Sequence, residues 1–177
     1  MKFYNRISEI CKNHKKVALF VDMDGTIVEY RVFPENFVTT ETKEVFLNAE
    51  PLEVILKNLE KINEIDNLDV YILSLARSFI IVEEKKQWLK KYAPFIREEN
   101  YILLNKENGD YNAENREFIK SIKMMEKLNE YDYVILLDDD HKILKRTLNE
   151  VGKNLKRLED FRNVHFYIMR KMSFHIG

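Results

Sequence analysis

Five short apolar runs are spaced along the chain and predict the strands of a sheet. They lie at residues 17–21, 70–73, 101–104, 133–137 and 164–168, and they are rich in β-branched and aromatic side chains. None of them alternates regularly between apolar and polar residues, which is typical of strands that are covered on both faces. We therefore expect a mostly parallel sheet of five strands.

Segments with helical spacing of apolar residues separate these runs. In residues 51–65, for example, the apolar positions fall on one stripe of a helix. The other helices are expected at 79–92, at 114–129, and from residue 141 to a stop at Gly152. Because strands and helices alternate, the chain is predicted to form an α/β fold, a three-layer α/β/α sandwich.

Length and composition favour one globular domain. The chain has 177 residues, of which 45% are hydrophobic and 33% are charged, and this is long enough to build a core without disulfides or a structural metal. It contains no internal repeat and no linker rich in proline, glycine or serine. We therefore expect residues 1–177 to form a single domain.

Charge and cysteine content argue against several classes of protein. The formal net charge is −1, so no overall basic field attracts nucleic acid or a membrane surface. The single cysteine, Cys11, cannot form an intramolecular disulfide, which fits a reducing compartment. No apolar run approaches a membrane span, and the first residues do not resemble a signal peptide. We expect a soluble, cytoplasmic protein with no membrane partner.

Acidic side chains and one hydroxyl lie at the carboxyl ends of three predicted strands. They are Asp22 and Asp24 after the first strand, Ser74 after the second, and Asp138, Asp139 and Asp140 after the fourth. In parallel α/β sheets these strand ends share one edge, where ligands bind. Asp140 also stands where it would cap the helix that begins at residue 141.

This concentration of acids requires either protonation or a bound cation. Carboxylates about 4 Å apart repel by roughly 4 kcal/mol at an effective dielectric constant near 20. The four histidines show no metal-ligand spacing, so the donors are oxygens alone, and such a set favours Mg²⁺ over Zn²⁺. Mg²⁺ held by a few carboxylates is typical of phosphate chemistry.

The order of these motifs resembles that of the haloacid dehalogenase (HAD) superfamily of phosphatases. "DMDGT" at 22–26 is similar to its first motif, DxDGT, "YILS" at 71–74 to its second, and "ILLDDD" at 135–140 to its fourth. The first motif is the specific one, because four fixed residues of five recur by chance in roughly one chain per thousand of this size. The resemblance implies a Rossmann-like, HAD-like fold.

The resemblance also implies catalytic and metal-binding roles. Asp22 would be the nucleophile that attacks phosphorus, and Asp24 would protonate the leaving oxygen and then deprotonate the attacking water. Mg²⁺ would be held by Asp22, by the backbone carbonyl of Asp24, and by Asp138 and Asp139. A complete acid pair in the first motif favours hydrolysis over mere binding.

Four further residues are implied to contact the phosphate or support its loop. Gly25 would allow the sharp turn after the strand, Thr26 would steady the loop, and Ser74 would hydrogen-bond a phosphate oxygen. "SLAR" at 74–77 resembles the Ser-Gly-Arg of the phosphatase half of phage polynucleotide kinase/phosphatase, although it is one residue longer. That likeness would place Arg77 to bind phosphate bidentately.

The lysine of the third motif has three candidates. "GDYNAENREFIK" at 109–120 resembles the Gly-Asp…Lys segment of the same phage phosphatases, which favours Lys120. Lys106 and Lys123 remain alternatives. Residues 83–96 also resemble a helix of 5′(3′)-deoxyribonucleotidase-like proteins.

Chain length between the motifs predicts a minimal cap over the site. Residues 25–50 leave room only for a short flap or a one-helix lid, in which Tyr30, Phe33 and Phe37 could stack on a base. A sparsely covered site suits a nucleotide or the end of a nucleic acid, or it requires a second subunit as cover. A phosphorylated substrate of this kind, with a homo-oligomer as an alternative source of cover, is therefore expected.

Other interpretations stay open at this point. The substrate could be a small sugar phosphate or a phosphoprotein, and the fold could belong to a catalytically inactive binding protein. A signalling receiver domain is disfavoured because no aspartate follows the strand at 101–104. A P-loop kinase is excluded because the chain has no glycine-rich GK[ST] stretch.

Overall fold

The computed structural model describes residues 2–29, 44, 46–157 and 165–169, and the side chains of 3–29, 44 and 46–150. The helices are α1 (Lys2–Asn13), α2 (Glu53–Asn63), α3 (Phe79–Tyr92), α4 (Ile119–Glu126) and α5 (His141–Arg157), with a 3₁₀ turn at Glu98–Asn100. The strands are β1 (Val17–Val21), β2 (Leu68–Ala76), β3 (Tyr101–Asn105), β4 (Tyr133–Leu137) and β5 (His165–Met169).

The strands pair in parallel in the order β3-β2-β1-β4-β5, with β1 between β2 and β4. Register decides which side chains meet at the carboxyl edge. Val21 stands opposite Leu137, so β1 and β4 end at the same level and Asp22 and Asp138 leave the sheet side by side. The backbone N–H of Asp22 extends this pairing by donating to the Leu137 carbonyl at 2.9 Å.

Helices cover both faces of the sheet, which explains the lack of alternation in the strands. Every residue of β1 is buried. Its odd-numbered residues pack in a core with α1, α2 and α3, whereas Ala18 and Phe20 pack in a second core with α4 and α5. The predicted α/β fold with a parallel sheet is confirmed, and the helix predicted at 79–92 has the bounds of α3.

Two element boundaries differ from the prediction near the site. β2 continues to Ala76, so Ser74 lies inside the strand, where it pairs with Leu103, and not beyond its end. α4 begins at Ile119 and not at 114, because the side chains of Asn112 and Asn115 bond to each other's backbone N–H groups and form a turn.

Two helices also differ from the prediction. α5 passes through Gly152, where a stop was expected, because one glycine costs only about 1 kcal/mol in a long helix. No helix was predicted at the start of the chain, yet α1 buries Phe3, Ile7 and Ile10 along one stripe. That spacing was a usable signal.

The predicted flap at 25–50 falls largely outside the described residues, as do its aromatics Tyr30, Phe33 and Phe37. Within the described part of the chain, no helix is long and apolar enough to cross a membrane.

Candidate active site

Three carboxylates meet where β1 and β4 end. Oxygens of Asp22, Asp138 and Asp139 all lie within 4.8 Å of one another. Asp22 is 6% exposed and Asp138 is 1% exposed. Burial, reinforced by the neighbouring Asp22 carboxylate and partly offset by a lysine, raises the pKa of Asp138 to about 6. A divalent cation would relieve this repulsion, and an oxygen-only donor set fits Mg²⁺.

Lys120 lies between two of these carboxylates. Its Nζ is 2.8 Å from Asp22 Oδ1 and 2.6 Å from Asp138 Oδ2, and the side chain is 1% exposed. Burial alone would lower the pKa of Lys120, but the two carboxylates outweigh it, so the pKa is raised and the lysine stays charged. α4 supplies this lysine from the buried side that also carries Met124.

Gly25 occupies a turn in which a side chain would be both strained and too close to Asp139. Its φ is +71°, in the left-handed region, and a Cβ built there would overlap the carboxylate of Asp139. The turn is closed by the Gly25 N–H, which donates to the Val28 carbonyl at 2.9 Å. The glycine therefore lets the loop after β1 pass directly against the loop after β4.

Gly25→Ala is expected to abolish at least nine-tenths of any activity at this site, because the added methyl group displaces Asp139. Gly109→Ala is the matched control: its φ is +79° but nothing lies within 4 Å of its Cβ position. Both variants should lose about 1–2 kcal/mol in urea unfolding from the left-handed conformation. Equal activities of the two variants would contradict a role for this close approach.

A second buried lysine, which the sequence did not predict, lies on the opposite side of the sheet. Lys85 on α3 is 1% exposed, and its Nζ donates to Asp24 Oδ2 at 2.5 Å, to Ser74 Oγ at 2.9 Å and to the Leu75 carbonyl at 2.8 Å. A usable signal existed, because Lys85 shares the buried side of α3 with Trp88 and Leu89.

The charges of the site leave room for a divalent cation. The carboxylates are those of Asp22, Asp24, Asp138 and Asp139, and the buried cations are Lys85 and Lys120. Four negative charges less two positive charges leave two negative charges. This balance matches one Mg²⁺ ion.

Comparisons with known proteins bear on the fold. No family model matches the chain, and no curated protein matches it. Among solved structures, the chain is similar to the HAD domain of the effector protein Lem4 from Legionella pneumophila, at 13% identity over 91% of each chain with a TM-score of 0.50. It is also similar to the class C acid phosphatase from Bacillus anthracis with tungstate bound, at 16% identity over 94% of this chain and 75% of that chain with a TM-score of 0.52. These similarities show that the chain shares its fold with the Lem4 HAD domain and with the class C acid phosphatase.

Residues that the HAD resemblance singled out meet at one edge of the sheet. Contacts of 3.5 Å or less join Asp22 and Asp138 through Lys120, and Asp24 and Ser74 through Lys85. Of the alternative lysines, Lys106 is exposed in the loop after β3, and Lys123 pairs with Glu126 on the surface of α4.

Three other residues follow the same strands: Thr26 comes after β1, Arg77 after β2 and Asp140 after β4. Arg77 is exposed and forms no hydrogen bond or ion pair with the described residues. Thr26 is buried, and its hydroxyl has no hydrogen-bond partner within the described part of the chain. Asp140 caps α5 by accepting from the backbone N–H groups of Lys142 and Ile143.

Proposed function

We propose that this protein is a Mg²⁺-dependent phosphomonoester hydrolase that acts through an aspartyl-phosphate on Asp22. The observation that carries the proposal is a cluster of carboxylates at the carboxyl edge of a HAD-fold sheet, in which Lys120 bridges the buried Asp22 and Asp138 and the half-buried Asp139 lies beside them. Similarity in fold to an acid phosphatase supports it.

Asp22 is suited to attack phosphorus. Its carboxylate needs no base to activate it, and the ion pair with Lys120 together with the hydrogen bond from its backbone fixes its position. The Oδ atom of Asp22 would form a bond to phosphorus while the bond from phosphorus to the leaving oxygen breaks. When bound by Asp22, Asp138, Asp139 and the backbone carbonyl of Asp24, Mg²⁺ would supply positive charge to a phosphoryl oxygen.

Asp24 is suited to move the proton. Its side chain is 49% exposed, so it can exchange protons with solvent and reach a leaving group at the mouth of the site. It would give a proton to the leaving oxygen and then take one from the water that attacks the aspartyl-phosphate. Release of inorganic phosphate restores the Asp22 carboxylate.

The favoured substrate is a nucleotide or the terminal phosphate of a nucleic acid. Arg77 stands exposed directly after β2, where it can bind a second anionic group or the phosphate itself. A panel of mononucleotides, sugar phosphates and 3′-phosphorylated oligonucleotides, compared by kcat/KM, tests this. A kcat/KM at least tenfold higher for a sugar phosphate than for every nucleotide would overturn the proposed substrate class. It would not contradict the proposed hydrolase activity.

Metal removal tests the hydrolase itself. Hydrolysis of a chromogenic phosphate ester should fall at least roughly 100-fold in EDTA and return with added Mg²⁺, because the carboxylates otherwise repel the phosphate. Calcium, which prefers more ligands and longer bonds, should restore much less activity than Mg²⁺. Full activity in EDTA would contradict the proposal.

A further inference from the structure

Lys85 uses all three of its hydrogen-bond donors at the mouth of the candidate site. They point at the Asp24 carboxylate, the Ser74 hydroxyl and the Leu75 carbonyl. A lysine has no other donors, so this ammonium group is fully satisfied although it is buried. Only one of the three acceptors, Asp24, carries a charge.

We propose that Lys85 is a second phosphate-binding cation of this site, which together with Ser74 contacts an oxygen of the substrate phosphoryl group. This inference rests on the proposed hydrolase. In the free protein the Asp24 carboxylate satisfies the ammonium group, and the phosphoryl oxygen takes over that contact when substrate binds. Asp24 is thereby released to take up a proton from solvent, which it gives to the leaving oxygen and recovers from the attacking water.

The exposure of the partner carboxylate argues against a purely structural ion pair. Burying a lysine is costly, and a pair kept for stability alone is often matched by apolar residues of similar volume. Here the Lys85 side chain is 1% exposed while the Asp24 side chain is 49% exposed, so the carboxylate end of the ion pair is open to solvent. An anion that enters the site can displace a solvated carboxylate at low cost.

The Ser74 hydroxyl is a further hydrogen-bond donor next to Lys85. Its Oγ accepts from Lys85 at 2.9 Å, whereas the distance from Oγ to Asp24 Oδ2 is 3.5 Å, too long for a strong hydrogen bond. The hydroxyl can therefore donate a hydrogen bond to a phosphoryl oxygen. Lys85 and Ser74 would then hold one oxygen from two sides.

The two buried lysines have separate partners and separate origins. Lys120 comes from α4 on one face of the sheet and contacts Asp22 and Asp138, the nucleophile and a metal ligand. Lys85 comes from α3 on the other face and contacts neither of them among its hydrogen bonds. Lys120 is thus occupied by the metal-binding carboxylates, which leaves Lys85 as the buried cation available to substrate.

α3 is fixed well enough to hold Lys85 in place. The adjacent Glu84 accepts from the backbone N–H groups of Glu44 at 2.6 Å and Phe46 at 2.8 Å. One turn later, Trp88 donates from its indole nitrogen to the Ala49 carbonyl at 2.8 Å. These bonds tie the helix to the segment that precedes α2, so the ammonium group is positioned before substrate arrives.

Inorganic phosphate as a competitive inhibitor provides the direct test. In Lys85→Met, the inhibition constant for phosphate and the KM for substrate should both rise roughly 10- to 100-fold, as expected when a charge-assisted hydrogen bond is lost. Lys85→Arg should recover part of this loss. Lys86→Met is the matched control, because Lys86 is the next residue and pairs with Glu83 on the surface, so its constants should stay within twofold of wild type.

Three results would overturn the inference. A folded Lys85→Met with unchanged phosphate inhibition but a lower kcat would show that Lys85 only positions Asp24. If Lys85→Met does not fold, a crystal of the wild-type protein with Mg²⁺ and phosphate decides, since Lys85 Nζ must then lie within about 3.2 Å of a phosphate oxygen. If the wild-type protein shows no Mg²⁺-dependent hydrolysis, the proposed function is contradicted, and this inference is contradicted with it.

Discussion

Asp22→Asn is expected to lower kcat for phosphate-ester hydrolysis by roughly four orders of magnitude or more, the scale seen when a nucleophile is removed from an enzyme. Asparagine keeps the size and shape of the side chain, but its amide is a poor nucleophile and a weak metal ligand. It also removes one of the two negative charges that Lys120 contacts. The kcat for phosphate-ester hydrolysis and the Mg²⁺ affinity, the latter measured by calorimetry, should therefore both fall.

The control for Asp22→Asn is Asp66→Asn. Asp66 is exposed and lies before β2, at the edge of the sheet away from the candidate site. Its replacement removes one carboxylate charge from the protein and should leave kcat within twofold of wild type. An Asp22→Asn protein that is folded and turns over at the wild-type rate would exclude the aspartyl-phosphate.

Lys120→Met should cost about 3–5 kcal/mol of unfolding free energy in the absence of a divalent cation, the usual effect of removing one partner of a buried ion pair. The change leaves the buried carboxylates of Asp22 and Asp138 facing each other without a cation. Urea unfolding with and without Mg²⁺ measures this, and Mg²⁺ should recover part of the loss because it neutralises the same carboxylates.

Lys123→Met provides a control on the same helix. Lys123 pairs with Glu126 at 2.9 Å on the surface, and its loss should change stability by no more than about 0.5 kcal/mol. Turnover should fall at least roughly 100-fold in Lys120→Met and stay near wild type in Lys123→Met. Equal effects of the two variants would mean that Lys120 is not the lysine of the site.

Much of the framework could be predicted because it depends on local sequence and on sheet geometry. The five residues of β1 are apolar without alternation, and this pattern indicated a strand buried on both faces. The acids that follow β1 and β4 meet because parallel strands end at one edge. Periodicity alone also gave the bounds of α3.

Features that depend on contacts between distant segments could not be predicted. Lys85 belongs to a residue type found mostly at the surface, and its place on the stripe with Trp88 and Leu89 signals burial but not its partners. That Asp24, Ser74 and the Leu75 carbonyl converge on it depends on the fold. Among three candidate lysines the resemblance favoured Lys120, but the physical reason, which side of α4 faces the sheet, depends on the fold. The approach of Gly25 to Asp139 likewise requires the positions of two loops.

A crystal structure with Mg²⁺ and beryllium fluoride, a mimic of an acyl phosphate, tests the central claim most directly. We expect one Mg²⁺ ion bound by carboxylate oxygens of Asp22, Asp138 and Asp139, and the fluoride group attached at Asp22 with Lys120 still beside it. A Mg²⁺ ion bound elsewhere, with the fluoride group absent from Asp22, would contradict the account.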